Sequence, residues 1–309
     1  MHPLISRLPA EKVICLDAEF ANDRKRSGED MLELSVMDGS GSLTYTSRYR
    51  PARLKKWGLE PHNITPEMVA DAPKFADCRK EVQKMLDAAD FIIGFAIAND
   101  VRILRQEGIM VDDAKIIELR DWFWFFYGRH HGLDHEQNIN NSSVAGYLGA
   151  DVKEELLHGS AYDAQVTLDS FDRLLHLIDT APGDTLADVH ARFVKEFEVA
   201  FEQYRRDNAA GYCLLELRDD GSYKMKATKF EPEPSDSIVA VIRVADRKVA
   251  LRELGLMLVG EARKSSFTVP RLTERQLRRF RSYTNDYSPE SSAFKSGLAD
   301  LMNRFSPRR

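Results

Sequence analysis

Two acidic side chains follow the first apolar run of the chain at a spacing of two residues. Residues 13–16 are apolar, and Asp17 and Glu19 come directly after them. Because successive side chains of a strand point to opposite faces, this spacing places both carboxylates on one face. Neighbouring carboxylates repel each other, and such a pair usually requires a cation or a proton between them. Many strands end in acidic residues, so the pair alone indicates a site only weakly.

A third carboxylate follows the second buried strand that the sequence predicts, residues 91–96. Asp100 comes where a helix begins, with Asn99 interpreted as the helix cap. Sites in α/β proteins often lie at such a strand edge. The structural alternative is a carboxylate at a helix start, which the helix dipole stabilises.

A histidine and a fourth carboxylate lie close together later in the chain. Ser160 is predicted to cap a long helix over residues 161–178, and Asp163 occupies the third helical position. Asp163 can therefore be half of a capping box. His158 precedes the helix in loop-like sequence, where a lone histidine is usually structural or exposed.

The elements that position these residues change in character along the chain. In the N-terminal part of the chain, the apolar pattern predicts a three-stranded antiparallel meander, followed by helices and a further buried strand. Ala181-Pro182-Gly183 is the clearest breaker, and we place the domain boundary there. The predicted domains are residues 1–182 and residues 183–309, the second a small α+β domain.

Composition limits the class of protein. The 309 residues are 43% hydrophobic and 30% charged, which excludes a disordered chain, a collagen and a plain coiled coil. No apolar stretch approaches the ~18 residues of a membrane helix, so no membrane partner is expected. Cys15, Cys78 and Cys213 lie too far apart for a zinc or disulfide framework. A cytoplasmic location with reduced thiols is the expectation.

The net charge of −5 conceals an asymmetry. Residues 241–309 carry 15 Lys and Arg against 7 Asp and Glu, a net of +8. Residues 1–240 therefore carry a net of −13. The acidic part could bind metal ions and the basic part a polyanion, whereas the plainer interpretation of the basic part is a solvated face.

Taken together, the three acidic segments resemble the DEDDh family of 3′–5′ exonucleases. The order is a strand with Asp-x-Glu, a strand and helix with Asp, and the segment His158-Gly159-Ser160-Ala161-Tyr162-Asp163-Ala164. The second strand, residues 31–36, and the turn at residues 62–65 also resemble the family. The likeness covers residues 12–178. It implies a ribonuclease-H-like fold, a mixed sheet flanked by helices.

The resemblance implies a role for each motif residue. Asp17, Glu19, Asp100 and Asp163 would hold two Mg²⁺ or Mn²⁺ ions, and His158 would be the general base. Gly159 stands where a tyrosine subclass would need Tyr, so the histidine subclass fits. The implied reaction releases nucleoside 5′-monophosphates from 3′ ends.

One departure from the family pattern concerns the second motif, where Ala96 stands in the position of the family's Asn. The nearby Asn99 could replace that polar contact with substrate. Phe20, directly after Glu19, is a candidate wedge against a terminal base. The narrow family cleft favours single strands, and we expect DNA rather than RNA.

The sequence is also compatible with two other functions, and it contains a further candidate interaction surface. The alternatives are an RNA-trimming enzyme and a non-catalytic nucleic-acid-binding or scaffold protein on the same fold. Residues 122–127 are six consecutive aromatics, which predicts core packing together with an interface to a second copy or a protein partner.

A basic helix over residues 273–283 carries most of the positive charge of the C-terminal domain. Arg271, Arg275, Arg278 and Arg279 crowd one broad face. Phe280 and Tyr283 are expected to add aromatic surface, as in single-strand binders. This region is predicted to hold the nucleic-acid chain that leads to the acidic cleft, and the competing interpretation is a protein or dimer surface.

Overall fold

The computed structural model describes residues 1–22, 29–54, 57, 62–135, 139–233, 235–263 and 265–283. The chain forms two compact units, Met1–Phe197 and Glu198–Arg309.

The first unit is built on a mixed sheet of five strands in the order β3-β2-β1-β4-β5. β1 pairs antiparallel with β2 and parallel with β4, so the sheet changes direction at β1. The predicted mixed sheet flanked by helices is confirmed. The strands are β1 (Val13–Asn22), β2 (Glu29–Asp38), β3 (Leu43–Arg48), β4 (Phe91–Gly94) and β5 (Ile116–Glu118).

The central strand β1 begins as an uninterrupted apolar run because it is covered on both faces. Val13, Ile14, Cys15 and Leu16 are all buried. The strand does not end at the acidic pair, as the sequence suggested. It continues to Asn22 because β2 supplies pairing partners along its whole length.

Seven helices accompany this sheet among the described residues. They are α1 (Pro3–Ser6), α2 (Phe75–Ala88), α3 (Ala98–Gln106), α4 (Leu119–Phe126), α5 (Asn141–Tyr147), α6 (Ser160–Leu175) and α7 (Leu186–Asp207). The long helix α6 packs on β1 and β2, and the Cys15 thiol donates a hydrogen bond to the Ala164 carbonyl at 3.3 Å. Two predicted caps are wrong: Gly159 takes the place of Ser160, and Ile97 that of Asn99.

The aromatic segment 122–127 packs against α7 of the same chain. Its first four side chains are buried, and the Trp122 ring lies 5.2 Å from the ring of Phe193. The Phe125 ring lies 6.2 Å from that of Phe197. The first compact unit thus extends past residue 182, because the first half of α7 buries its apolar side chains against α4.

The second unit contains an antiparallel four-stranded sheet in the order β8-β6-β7-β9. Two helices pack against it, and Phe280 is fully buried in their shared core with Leu254 and Met225. The prediction that Phe280 adds aromatic surface is therefore wrong. The elements are β6 (Gly211–Leu217), β7 (Tyr223–Thr228), β8 (Ile238–Val244), α8 (Arg247–Val259), β9 (Phe267–Val269) and α9 (Glu274–Arg281).

No helix in the described part of the chain combines the length and apolar character that a bilayer-spanning helix needs.

Candidate metal centre

Three carboxylates from two elements meet at one place in the first unit. Asp17 and Glu19 come from β1 and Asp163 from the first turn of α6. Each offers one oxygen, and the three oxygens lie within 4.8 Å of one another. Strand alternation puts Asp17 and Glu19 on the same face, as predicted, and α6 brings Asp163 to that face. No other group of three His, Cys, Asp or Glu side chains in the described ranges has this geometry.

The fourth predicted carboxylate, Asp100, lies beside this group but outside it. It is only 6% exposed, and its Oδ1 accepts a hydrogen bond from the Ala18 N–H at 3.1 Å. Ala18 stands between Asp17 and Glu19, so Asp100 is held against the middle of the acidic strand. Among the neighbouring charges, that of Asp100 has the largest effect on the pKa of Asp17.

Burial and mutual repulsion both raise the pKa values of these carboxyl groups. Burial, followed by the charge of Asp100, raises the pKa of Asp17 well above its usual range. Burial raises the pKa of Glu19 to about 8 and that of Asp100 to about 7, and it also raises the pKa of Asp163. A divalent cation would compensate this crowded negative charge, and an all-oxygen donor set suits Mg²⁺ or Mn²⁺. The residues present therefore fit such ions.

His158 is an exposed residue at the turn before α6, next to Asp163. Its backbone N–H donates to Oδ2 of Asp163 at 3.0 Å, so the Asp163 carboxylate fixes this turn as well as lining the site. The φ angle of His158 is +66°, in the left-handed region that costs a non-glycine residue about 1 kcal/mol. Burial raises the pKa of Asp163, and the hydrogen bond from the His158 N–H partly opposes this rise. The structure thus brings His158 to the edge of the carboxylate group.

Sequence reasoning missed Glu33 on β2, which lies directly opposite Glu19 in the strand register. Its carboxylate accepts hydrogen bonds from the Ser160 N–H at 3.3 Å, the Ser160 hydroxyl at 3.1 Å and Arg48 Nε at 2.8 Å. A second contact joins the Ser160 hydroxyl to that of Ser35 at 2.7 Å. The signal in the sequence was a glutamate between the apolar residues Leu32 and Leu34, because a charge within a buried strand needs partners.

Ala96, in the predicted second motif, lies in a backbone conformation that alanine adopts only at a cost. Its φ is +52°. The Glu118 carboxylate holds this turn by accepting hydrogen bonds from the N–H groups of Ala96 at 2.8 Å and Ile97 at 2.9 Å. Asparagine tolerates positive φ better than most residues. Glu118 is a second residue that sequence reasoning missed.

The residues predicted to bind substrate are spread over both units. In the first unit Phe20 is half-buried against the core, with the Arg102 guanidinium 5.9 Å from its ring centroid. Asn99 is exposed on α3. In the second unit the four predicted arginines are all exposed; they are Arg271, Arg275, Arg278 and Arg279.

The chain matches a family model over its first half. The model RNase_T, described as an exonuclease, matches residues 14–171. The match covers just over half of the 309 residues and includes all four acidic positions and His158. No curated protein matches the chain.

Proposed function

The chain belongs to the exonuclease family, and on that basis we propose that it is a metal-dependent 3′–5′ exonuclease of the DEDDh type. It releases nucleoside 5′-monophosphates from 3′ ends and prefers single-stranded DNA. The observation that carries this proposal is the meeting of Asp17, Glu19 and Asp163 within 4.8 Å, with buried Asp100 beside them.

The four carboxylates would hold two Mg²⁺ or Mn²⁺ ions. When bound, such ions make the attacking water more acidic and stabilise the leaving 3′ oxygen. The carboxylates would orient the ions, because β1, α3 and α6 fix the positions of these side chains. Glu33 and Ser160 hold α6 to β2 and so keep Asp163 in place.

His158 takes a proton from the attacking water, since a histidine titrates near working pH. Its exposed position beside Asp163 supports this role, because the ring can exchange its proton with solvent. Phe20 and Asn99 lie near the two acidic segments in sequence and offer a stacking face and a polar contact to the terminal nucleotide.

The test is hydrolysis of 5′-labelled single-stranded DNA and a matched RNA in the presence of Mg²⁺. We expect a ladder that shortens from the 3′ end, with DNA cleaved faster than RNA. Asp17→Asn and Asp163→Asn should each lower the rate at least about a hundredfold, because each removes an ion ligand. Asp169→Asn, an exposed carboxylate on the same helix as Asp163, is the matched control and should keep the wild-type rate.

Three results would contradict parts of the proposal. If both site variants keep more than about a tenth of the wild-type rate, the carboxylates are not required for catalysis. Faster cleavage of RNA would make the enzyme an exoribonuclease. Binding of both oligonucleotides without any cleavage by the wild type would make it a binding protein on the exonuclease fold.

A further inference from the structure

The second unit presents a cluster of exposed arginines on α9 and directly before it. We call Arg271, Arg275, Arg278 and Arg279 the arginine face; all four side chains are exposed. The opposite side of the helix is apolar: Phe280 is fully buried and Leu277 packs against the same core. The helix therefore has a fixed orientation, with its charged side toward solvent.

Hydrogen bonds at both ends of α9 support this orientation. Thr273 Oγ1 accepts from the Gln276 N–H at 3.2 Å, and Gln276 Oε1 accepts from the Thr273 N–H at 2.9 Å, which is a capping box. Gln276 Nε2 also donates to the Leu258 carbonyl at 3.4 Å, and Arg281 donates to the Val239 carbonyl at 3.5 Å. Arg275, Arg278 and Arg279 thus stand on a helix that is tied to α8 and β8.

Few carboxylates balance this charge. Arg278 has an ion pair with Glu274 at 3.9 Å, and both side chains are at least 70% exposed, so solvent screens the pair. Within the described part of the chain, Arg271, Arg275 and Arg279 have no carboxylate within 4.0 Å. Like charges three and four residues apart on a helix repel each other. A polyanion laid along this face would relieve the repulsion.

We propose that the arginine face binds the phosphate backbone of a single-stranded nucleic acid. This inference rests on the proposed function, which makes a nucleic acid the relevant polyanion. Arginine suits the role because its planar guanidinium can donate two parallel hydrogen bonds to one phosphate. Binding is through phosphates rather than stacked bases, since Phe280 is in the core and Tyr283 is half-buried and donates its hydroxyl to Glu253. The surface therefore has no base preference.

The test compares two triple variants of the full chain by fluorescence anisotropy, using a labelled single-stranded oligonucleotide in EDTA so that no cleavage occurs. One variant combines Arg275→Gln, Arg278→Gln and Arg279→Gln. The matched control combines Arg206→Gln, Arg218→Gln and Arg252→Gln, which are exposed arginines of the same unit that do not belong to the arginine face. Both variants lose three positive charges.

The arginine-face variant should bind at least about tenfold more weakly at about 0.1 M salt, and the slope of log Kd against log salt should be shallower by about two. The control should stay within about threefold of wild type with nearly the same slope. A third variant with lysine at positions 275, 278 and 279 should recover the slope, since it restores the charge without changing the helix.

Equal affinity and slope in wild type and the arginine-face variant would overturn the proposal, as would equal losses in the variant and its control. Binding of anionic phosphatidylserine vesicles without binding of the oligonucleotide would reassign the face to a lipid surface. The hydrolysis assay tests the proposed function separately from the arginine face. If the wild type binds the oligonucleotide through these arginines but never cleaves DNA, the proposed enzyme activity is wrong and the proposed binding surface is supported.

Discussion

The Glu33 carboxylate on β2 accepts hydrogen bonds from both the backbone N–H and the hydroxyl of Ser160, the first residue of α6. A negative charge at this place is favourable because the first N–H groups of a helix have no partner within it and carry partial positive charge. The contact also joins the strand opposite Glu19 to the helix that carries Asp163. Glu33 is thus a positioning residue for the carboxylate group.

Glu33→Ala should lower the free energy of unfolding by about 1–3 kcal/mol, because the fully buried Ser160 loses its acceptor. Urea unfolding of the metal-free protein measures this change. Glu33→Gln keeps a carbonyl acceptor at the same place, so its free energy of unfolding should fall clearly less than that of Glu33→Ala. If Glu33→Ala is as stable as wild type, the contact does not hold α6 to the sheet.

The metal-free protein should become less stable as the pH rises from about 4 to about 8. Burial raises the folded-state pKa of Glu19 to about 8 and that of Asp100 to about 7, well above their values in an unfolded chain. The folded state therefore binds protons that the unfolded state has released. The stability due to these neutral carboxyl groups is complete below their unfolded pKa values and is lost as the pH passes the folded ones. The melting temperature in EDTA from about pH 5 to about pH 8 tests this.

Glu19→Gln isolates one carboxyl group in that experiment, because glutamine does not ionise. The stability of this variant relative to wild type should increase with pH in EDTA. Millimolar Mg²⁺ should raise the wild-type melting temperature at pH 8 by linkage and should raise that of Glu19→Gln much less. Glu81→Gln, an exposed site on α2, is the control. Parallel pH profiles for wild type and Glu19→Gln in EDTA would refute the assignment of this titration to Glu19.

Local periodicity predicted the parts of the site that lie on one element. Alternation along β1 placed Asp17 and Glu19 on the same face, and this is confirmed by the position of their oxygens. The antiparallel first strands and the helix of residues 75–88 were likewise readable from local apolar patterns. These features depend on neighbours a few residues apart, which a sequence states directly.

Contacts between distant residues explain what the sequence did not show. Glu33 and Ser160 are 127 positions apart, and nothing in either local sequence indicates the other. Residue type predicts Ser160 as the helix cap. In the structure Ser160 is buried, its hydroxyl contacts that of Ser35 on β2, and it is the first residue of the helix. The arginines near Phe280 in the sequence predict a surface position, whereas packing against α8 decides where it lies.

Ala96→Gly should raise the free energy of unfolding by about 0.5–1 kcal/mol. Alanine at φ +52° pays a steric cost of about 1–2 kcal/mol, and glycine avoids it while losing part of the gain to a more flexible unfolded chain. Ala191→Gly, at an exposed position within α7, is the control, and this substitution should lower the free energy of unfolding by about 1 kcal/mol. Urea unfolding at fixed pH in EDTA measures both. If Ala96→Gly lowers the free energy of unfolding as much as Ala191→Gly does, the turn tolerates alanine without strain.

His158→Asn should slow hydrolysis of single-stranded DNA strongly while leaving binding intact. Asparagine is chosen because it tolerates the φ of +66° at this position, so the turn and its hydrogen bond to Asp163 are kept. A missing general base affects mainly the chemical step, and general-base catalysis typically contributes about 10²–10⁴ in rate. Single-turnover cleavage should therefore slow by at least about a hundredfold, with oligonucleotide affinity within about twofold of wild type.

The pH dependence of the same variant separates a base from a structural histidine. Wild-type single-turnover rates should depend on pH in the way that a general base requires, because such a base acts only in its unprotonated form, whereas the residual rate of His158→Asn should lack that dependence. Tyr162→Phe, four residues along on α6, is the control, since it removes a hydroxyl that accepts a hydrogen bond from the Lys153 N–H and leaves the imidazole unchanged. An unchanged rate at neutral pH in His158→Asn would show that another group accepts the proton from the attacking water. A slowed variant that keeps the wild-type pH profile would make His158 a positioning residue.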